Sequence, residues 1–179
     1  MNDTILAINK PAPDFKAPAF QNGSVDNHIS LQDYRGKWVL VFFYPLDFTF
    51  VCPTELFELG EMHEEFEKVN CQILGISVDS VYSHQAWAEA DKRVGNLKYP
   101  LISDIKKEIS LAYKVLHDDG VSLRGAFIID PDGILQSIMI NNLPVGRSPK
   151  ELLRLVKAFQ TGDLCPVNWN HGEKTLGKT

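Results

Sequence analysis

The sequence predicts an α/β fold in which a central mixed sheet is flanked by helices. Apolar runs of strand length alternate with segments whose apolar residues recur at helical spacing. This alternation is typical of parallel strands joined by crossover helices. One pair of apolar runs is instead separated by a Pro-Asp-Gly turn, which adds an antiparallel hairpin at an edge of the sheet.

The strands are predicted in chain order from their apolar runs. Residues 1–37 are rich in proline and glycine and indicate a hairpin-like lead-in. The unbroken apolar run 38–44 suits a central strand that is buried on both faces. A second strand is predicted over 71–79, and the hairpin pairs 125–130 with 134–140.

Four helices are predicted around these strands. Residues 53–69 carry apolar side chains at helical spacing with glutamates on the other face. Further helices are expected over 80–93 and about 104–114. Ser148-Pro149-Lys150-Glu151 has the pattern of a capping box and opens the last helix, which Gly162 ends.

The length of 179 residues suits one domain. We expect that domain to span residues 1–162 and to be followed by a polar C-terminal tail over 163–179. The tail carries the last of the three cysteines, Cys165.

Composition and charge exclude several classes of protein. Hydrophobic residues make up 44% of the chain and charged residues 23%, which is typical of a folded globular protein. A net charge of −5 without a basic run argues against a nucleic-acid partner. No window approaches the roughly 18 apolar residues of a membrane span, and residues 1–10 lack a secretory signal. We therefore expect a cytoplasmic protein with no membrane partner.

The cysteines and histidines do not follow a metal-binding pattern. Cys52, Cys71 and Cys165 are far apart in the sequence, and the five histidines are scattered. An odd, low number of cysteines also argues against a secreted disulfide framework. We therefore expect neither a metal nor another cofactor.

The segment 44–55 is the strongest candidate for a reactive site. It joins the carboxyl end of a buried strand to the start of a helix, where ligands of α/β sheets commonly bind. Pro53 suits the first helical turn, so Cys52 should lie at the helix N-terminus. Thiols in such places have pKa values lowered from ~8.5 toward ~3.5–7.5, and the thiolate is the nucleophile. The alternative is a buried structural thiol.

The pattern Pro45-x-x-x-Thr49-x-x-Cys52 resembles the active-site signature of the peroxiredoxins. Together with the string from Cys165 to Trp169, it resembles their typical two-cysteine class, which includes bacterial alkyl hydroperoxide reductase C subunits and thioredoxin peroxidases. The resemblance runs from about Pro11 to Trp169. It implies a thioredoxin-like fold, in agreement with the predicted order of elements.

The resemblance implies roles for the residues around Cys52. Cys52 is expected to be the peroxidatic nucleophile, which a peroxide oxidises to a sulfenic acid. Thr49 is expected to hydrogen-bond the peroxide, and Pro45 to shield the thiolate. Arg124 matches the arginine of the family's active site, where a guanidinium stabilises the thiolate.

Glu55 and Arg147 match a supporting pair that orients Arg124. The alternative for both arginines is an ordinary cation on the surface. Cys165 matches the resolving cysteine, which in this class attacks the sulfenic acid of the other subunit of a dimer. The sequence itself leaves open whether its partner is in the same chain, and Cys71 is expected to be a small core residue.

The implied activity is reduction of hydrogen peroxide and organic hydroperoxides to water and alcohols. The implied reductant is thioredoxin or a dedicated flavoprotein or other CxxC reductase. The implied assembly is a homodimer that forms a decamer of five dimers. The implied role is antioxidant defence and redox homeostasis of the cell.

Two other classes of function are alternatives to a peroxidase. A thioredoxin-type disulfide oxidoreductase needs a second cysteine three residues after the first, and this chain has Glu55 there. A chaperone or ring-forming scaffold would not depend on Cys52. A third interpretation, a protein like glutathione peroxidase, does not match the segment from Pro45 to Cys52.

Resistance to overoxidation is expected from two absent motifs. Sensitive members of the class have a Gly-Gly-Leu-Gly loop and a C-terminal Tyr-Phe helix, which pack over the site and slow its opening. Residues 92–99 contain no such loop motif, and the residues after Cys165 contain no Tyr-Phe pair. We therefore expect a tail that opens readily, as in a robust enzyme of bacterial type.

Overall fold

Seven strands form one mixed sheet in the structure, a computed structural model that describes residues 6–178. The sequence-based interpretation of the N-terminus also rests on residues 1–5, which lie outside the described residues. The strand order is β2-β1-β5-β4-β3-β6-β7. The strands are β1 (Lys16–Gln21), β2 (Ser24–Ser30), β3 (Trp38–Phe43), β4 (Cys71–Ser77), β5 (Leu101–Ser103), β6 (Arg124–Ile129) and β7 (Leu135–Asn141).

The predicted strand over 38–44 is the central strand β3. It pairs in parallel with β4 and antiparallel with β6. Leu40 and Phe42 belong to the core on one face of the sheet, while Val41 and Phe43 belong to the core on the other. Because both faces of the sheet are covered here, the residues that point to either face are apolar. This explains why the apolar run is unbroken.

Both hairpins expected from the sequence are present, at opposite edges of the sheet. β6 and β7 pair antiparallel, and Gly133 in their turn has φ +77°, which glycine adopts without strain. β1 and β2 form the hairpin predicted within residues 1–37. This hairpin is an integral part of the sheet, because β1 also pairs with β5.

Within residues 6–178, six helices flank the sheet, and a short 3-10 turn over Leu31–Tyr34 follows β2. The prediction of a single helix over 53–69 is wrong in one respect, because this segment forms two helices that meet at Met62. Gly60 precedes this break, and a Cβ on Gly60 would lie only 2.9 Å from the Leu97 side chain. The helices are α1 (Val51–Glu61), α2 (His63–Lys68), α3 (Val81–Ala90), α4 (Lys92–Gly95), α5 (Glu108–Ala112) and α6 (Pro149–Thr161).

The start of α6 follows the predicted capping pattern only in part. The Ser148 hydroxyl accepts a hydrogen bond from the Glu151 amide at 3.4 Å, and Pro149 is the first helical residue. The Glu151 carboxylate does not complete the capping box, because it binds Arg154 instead. Gly162 ends the helix in the left-handed conformation, as predicted.

Helices pack on both faces of the sheet. The core on one face is formed with α1, α2 and α6, and the core on the other face with α5 and the segment around β1. Among residues 6–178, no helix has the length and apolar character needed to cross a membrane. This arrangement leaves the carboxyl end of β3, and the loop that follows it, at the start of α1.

Candidate active site

Cys52 lies in the first turn of α1, as the sequence predicts. The helix begins at Val51, one residue before Cys52, and the thiol is fully buried. Phe50 caps the helix without a side-chain hydrogen bond. No side chain at the cap position therefore accepts a hydrogen bond from the amide groups of the first turn. These free amide groups favour negative charge at the start of the helix, where Cys52 lies.

Arg124 reaches the thiol because of the sheet topology. It is the first residue of β6, which runs antiparallel to β3, so Arg124 lies at the carboxyl end of β3. Its Nη1 lies 3.5 Å from the Cys52 sulfur. The same nitrogen donates to the Glu55 carboxylate at 2.7 Å, and Nε donates to the Leu143 carbonyl at 2.6 Å. The guanidinium is thus fixed from two sides.

Glu55 connects the two arginines that the sequence places 23 residues apart. The backbone amide and Nε of Arg147 donate to one Glu55 oxygen at 2.6 and 3.0 Å. The other oxygen accepts from Arg147 Nη2 at 3.1 Å and from Arg124. All three side chains are buried, so the interpretation of the arginines as surface cations is wrong. Burial lowers the pKa of Arg147 despite its bonds to Glu55.

Sequence reasoning missed Phe42 as part of this group. The Arg147 guanidinium lies over the Phe42 ring, 3.4 Å from its centroid. Arg147 also donates to the Gly125 carbonyl. The sequence does not reveal these contacts. Phe42 has the apolar character of any core residue of β3, and the Gly125 carbonyl belongs to the backbone, which every residue has.

Thr49 and Pro45 lie in the loop between β3 and α1. The Thr49 hydroxyl donates to the Leu46 carbonyl at 3.0 Å rather than to the thiol. Its oxygen keeps lone pairs that can accept a hydrogen bond from a bound molecule. Pro45 is buried directly after β3, while Phe50 is 95% exposed.

A second buried polar group holds the same loop and was also missed. The Asp47 carboxylate accepts hydrogen bonds from Tyr44 at 2.9 Å and from Ser83 at 2.8 Å, and it lies 2.8 Å from Nδ1 of His84. Nε2 of His84 has no hydrogen-bond partner among residues 6–178. Burial is the main cause that raises the pKa of Tyr44. This network connects the loop over 45–50 to α3. Its residues are far apart in the sequence, so no local pattern predicts it.

The structure does not bring Cys165 to Cys52. Both are free thiols, and Cys165 lies against the end of α6. Its sulfur is 3.5 Å from the Thr161 hydroxyl and 3.7 Å from the Ala158 carbonyl. Cys71 is a buried residue at the start of β4, and burial raises its pKa to about 12, in agreement with a core role.

The tail after α6 makes contacts with itself and with the rest of the chain. Residues 163–178 form no helix, but backbone hydrogen bonds join Leu164 to Gly177 and to Leu176. Trp169 is only 2% exposed, and its ring nitrogen donates to the Glu173 carbonyl at 3.0 Å. The tail is therefore a closed loop, anchored by one aromatic side chain that sequence reasoning had treated only as part of a motif.

The chemistry of the site follows from these contacts. A buried thiol faces a fixed cation, and a carboxylate prevents the two guanidinium groups from repelling each other. Such an arrangement suits a sulfur nucleophile that passes negative charge to a leaving oxygen. In the chain from residue 6 to 178, no group of three or more His, Cys, Asp or Glu side chains is arranged to hold a metal ion.

Comparison with known proteins identifies the family. The model of the AhpC/TSA family matches residues 8–138. The chain is 54% identical over 173 residues to the mitochondrial thioredoxin-dependent peroxide reductase of Drosophila melanogaster, which covers 92% of this chain and 74% of that protein.

Solved structures are similar over nearly the whole chain. The reduced 2-Cys peroxiredoxin of Plasmodium vivax has a TM-score of 0.90 and 45% identity, covering 94% of this chain and 91% of that one. AhpC of Enterococcus faecalis has a TM-score of 0.85 and 37% identity, covering 89% and 98%. The predicted thioredoxin-like fold is confirmed, and the chain belongs to the AhpC/TSA family and is a peroxiredoxin.

Proposed function

We propose that this chain reduces hydrogen peroxide and organic hydroperoxides, with Cys52 as the peroxidatic thiol and Cys165 as the resolving thiol. Its relatives establish the general activity, that of a thiol-dependent peroxidase. The observation that carries the assignment of Cys52 is the 3.5 Å approach of Arg124 to its sulfur. Cys71 has no cationic neighbour of this kind in the described structure, and its raised pKa keeps it protonated.

The first step is attack by the Cys52 thiolate on one oxygen of the peroxide. A sulfur–oxygen bond forms as the oxygen–oxygen bond breaks, and the leaving oxygen takes up a proton and departs as water or an alcohol. Cys52 becomes a sulfenic acid. Arg124 stabilises both the thiolate and the charge that develops on the leaving oxygen, Thr49 accepts a hydrogen bond from the peroxide, and Pro45 shields the thiolate from water.

Glu55 and Arg147 act in this proposal as positioning residues. Glu55 receives one hydrogen bond from Arg124 and three from Arg147, so the carboxylate cannot move without breaking several charged contacts. A fixed guanidinium needs no reorganisation when charge moves onto the peroxide. Arg147 thereby supports Arg124 through the carboxylate that they share.

The second step joins Cys165 to Cys52 as a disulfide between two subunits. Its support is that the contacts of Cys165 are with α6 of its own chain and not with α1. We propose that a dithiol reductant, thioredoxin or a flavoprotein or other CxxC reductase, then reduces the disulfide. The name of the Drosophila relative, a thioredoxin-dependent peroxide reductase, favours thioredoxin.

A homodimer that assembles into a decamer completes the proposal, and we place the enzyme in the cytoplasm, where it would serve antioxidant defence. Exposed aromatic side chains near the site support self-association. Phe48 and Phe50 in the loop before α1 and Tyr82 at the start of α3 are all exposed. Apolar surface of this kind favours contact with another protein surface. Sedimentation of the reduced protein tests the assembly state.

The decisive experiment compares single cysteine variants. Cys52→Ser should abolish peroxide consumption, while the matched control Cys71→Ser should leave it intact. After peroxide treatment, non-reducing electrophoresis should show a covalent dimer that Cys165→Ser removes. Peroxide consumption that persists in Cys52→Ser would refute the enzyme assignment and favour a scaffold or chaperone, whereas an oxidised band at monomer size would point to a disulfide within one chain.

A further inference from the structure

The segment that carries Cys165 is tethered to α6 at both ends. It leaves the helix at Gly162, and it returns to it at Trp169, which is almost fully buried. Between these points Cys165 has the freedom of a short loop and not of a free tail. Short tethers keep a reacting group at a high effective concentration near its target.

One side chain of α6 makes the second tether. Arg154 Nη1 donates to the Trp169 carbonyl at 2.8 Å. Its Nε and Nη2 donate to both carboxylate oxygens of Glu151 at 2.6 and 2.7 Å, so the guanidinium is held in one orientation. Arg154 thus links the first turns of α6 to the tail after Cys165.

Arg154 and Cys165 also line the same cavity. This cavity has a volume of 660 Å³ and lies between α6 and the tail, with Ala158 and Val167 among its other walls. The hydrogen bond with Glu151 is the main cause that raises the pKa of Arg154, and the nearby Cys165 adds to it. The guanidinium therefore places a permanent positive charge on the wall of the cavity that Cys165 also lines.

We propose that Arg154 is a positioning residue for the resolution step, a role that rests on the proposed function of Cys165. In that step the Cys165 thiolate attacks the sulfenic sulfur of Cys52. A sulfur–sulfur bond forms, the sulfur–oxygen bond breaks, and the oxygen leaves as hydroxide, which takes up a proton to become water. Arg154 holds the short loop that presents Cys165, and its positive charge lies on the wall of the cavity that Cys165 also lines.

The two effects of Arg154 act in the same direction. Without the bond to the Trp169 carbonyl, the residues from Gly162 onward lose one of their tethers, and the thiol samples a larger volume. Without the guanidinium, the described wall of the cavity loses its only cationic side chain. Neither effect reaches Cys52, which has Arg124 and its own buried contacts.

The test separates the two steps by rapid mixing with hydrogen peroxide. One signal follows formation of the Cys52 sulfenic acid, whose rate depends on peroxide, and a second follows formation of the disulfide, whose rate does not. Arg154→Gln should slow disulfide formation about tenfold, the factor expected for loss of one charge-assisted hydrogen bond. It should leave the peroxide-dependent step unchanged.

Two further variants serve as controls for the effect of Arg154→Gln. Arg154→Lys keeps the charge with one donor group, and it should recover part of the lost rate. Lys157→Gln removes another cation from α6, one without a side-chain hydrogen bond to the tail in the described structure, and both rates should stay at their wild-type values. If Arg154→Gln does not fold, Glu151→Gln loosens the same guanidinium and should also slow only the second step.

The outcomes distinguish this inference from the proposed function. If the wild type forms no disulfide that depends on Cys165, the proposed function fails. If the wild type forms the disulfide and Arg154→Gln forms it at the same rate, the proposed function stands and the role of Arg154 is overturned. Equal slowing of both steps by Arg154→Gln would also overturn it, since that would indicate a general structural defect.

Discussion

The surroundings of Cys52 and Cys165, the two cysteines to which we assign roles in the proposed reaction, differ in nearly every physical respect. Cys52 is fully buried in the first turn of α1 and lies against Arg124, which shares the Glu55 carboxylate with Arg147. Cys165 is half-buried and contacts a hydroxyl and a backbone carbonyl of α6. The cation near it, Arg154, is 26% exposed, whereas Arg124 and Arg147 are almost completely buried.

This difference matches the two chemical tasks that we propose. Charge interactions strengthen as water is excluded, so the buried group around Cys52 can stabilise a thiolate and a leaving oxygen strongly. A thiol that must travel to another cysteine cannot be fixed in the same way. The tail accordingly has few anchors, and weak exposed charge pairs are sufficient to guide it.

The largest effect is expected where the buried charges are shared. Glu55→Gln removes the carboxylate but keeps its shape, and it leaves two buried arginines without their counter-charge. Breaking a buried ion pair in this way costs about 3–5 kcal/mol. We expect a fall of that size in the free energy of unfolding, measured by urea denaturation. Glu58→Gln, an exposed change on the same helix, is the control, and an equal loss in both variants would contradict the role of Glu55.

A large effect on rate, with a smaller effect on stability, is expected at Arg124. Arg124→Gln removes the cation that lies 3.5 Å from the Cys52 sulfur, while Glu55 keeps its bonds to Arg147. Loss of one electrostatic contact to the reacting atoms should lower the rate constant with hydrogen peroxide by about 10²–10³-fold. The rate is measured by competition with a second peroxidase. An unchanged rate would remove Arg124 from the site.

Arg93→Gln provides the matched control for that measurement. Arg93 forms an exposed pair with Asp91 and has no hydrogen bond to the thiol. Its substitution should alter neither the rate with peroxide nor, beyond a small margin, the free energy of unfolding. A loss of rate in this variant would mean that net charge, and not the position of Arg124, determines the reactivity.

The sequence predicts the sheet and the position of Cys52 well because strong local signals specify both. The apolar run of β3, the Asp-Pro-Asp-Gly turn and Pro53 each limit the backbone to few conformations. The helix ends were less certain. The break at Met62 is not visible in the sequence, because the apolar residues continue at helical spacing on both sides of it.

The residues around Cys52 could be assembled only through the resemblance to the peroxiredoxins. Arg124 and Arg147 lie 72 and 95 residues after Cys52, and nothing in their local sequences shows that they share Glu55. Phe42 was missed because its ring meets the distant Arg147, and Asp47 and His84 were missed because they meet between the loop after β3 and α3. Pairing of this kind is a property of the tertiary fold.

Resistance to overoxidation should depend on how quickly Cys165 reaches the oxidised Cys52. The described tail contains no helix, and it is held by the contacts of Trp169 and by the backbone pairing of Leu164 with Leu176 and Gly177. We expect Cys165 to reach the sulfenic acid before a second peroxide does. Mass spectrometry of Cys52 during turnover with excess reductant should then show little sulfinic acid as peroxide is raised. Its accumulation at micromolar peroxide would refute the expectation, and Arg154→Gln should accumulate more than the wild type.

The smallest effect expected is a change in the tail with pH. The hydrogen bond with Arg154 lowers the pKa of Glu151 below its usual value of 4.5. Because the pKa is lower in the folded chain, the pair contributes its stability above pH 4.5 and loses it as the pH falls through the lowered pKa. The pair is partly exposed to water, so its contribution should be small.

Loss of the pair should loosen the Arg154 contact with the Trp169 carbonyl. Hydrogen exchange of the amides over 163–178 should therefore increase in moderate acid, after correction for the intrinsic rate, while exchange in β3 stays constant. Glu151→Gln should exchange faster in the tail already at neutral pH and should lose this dependence on pH. If the wild-type tail shows constant protection across that range, Glu151 does not hold Arg154 in place, and the other contacts of the tail are sufficient to hold it.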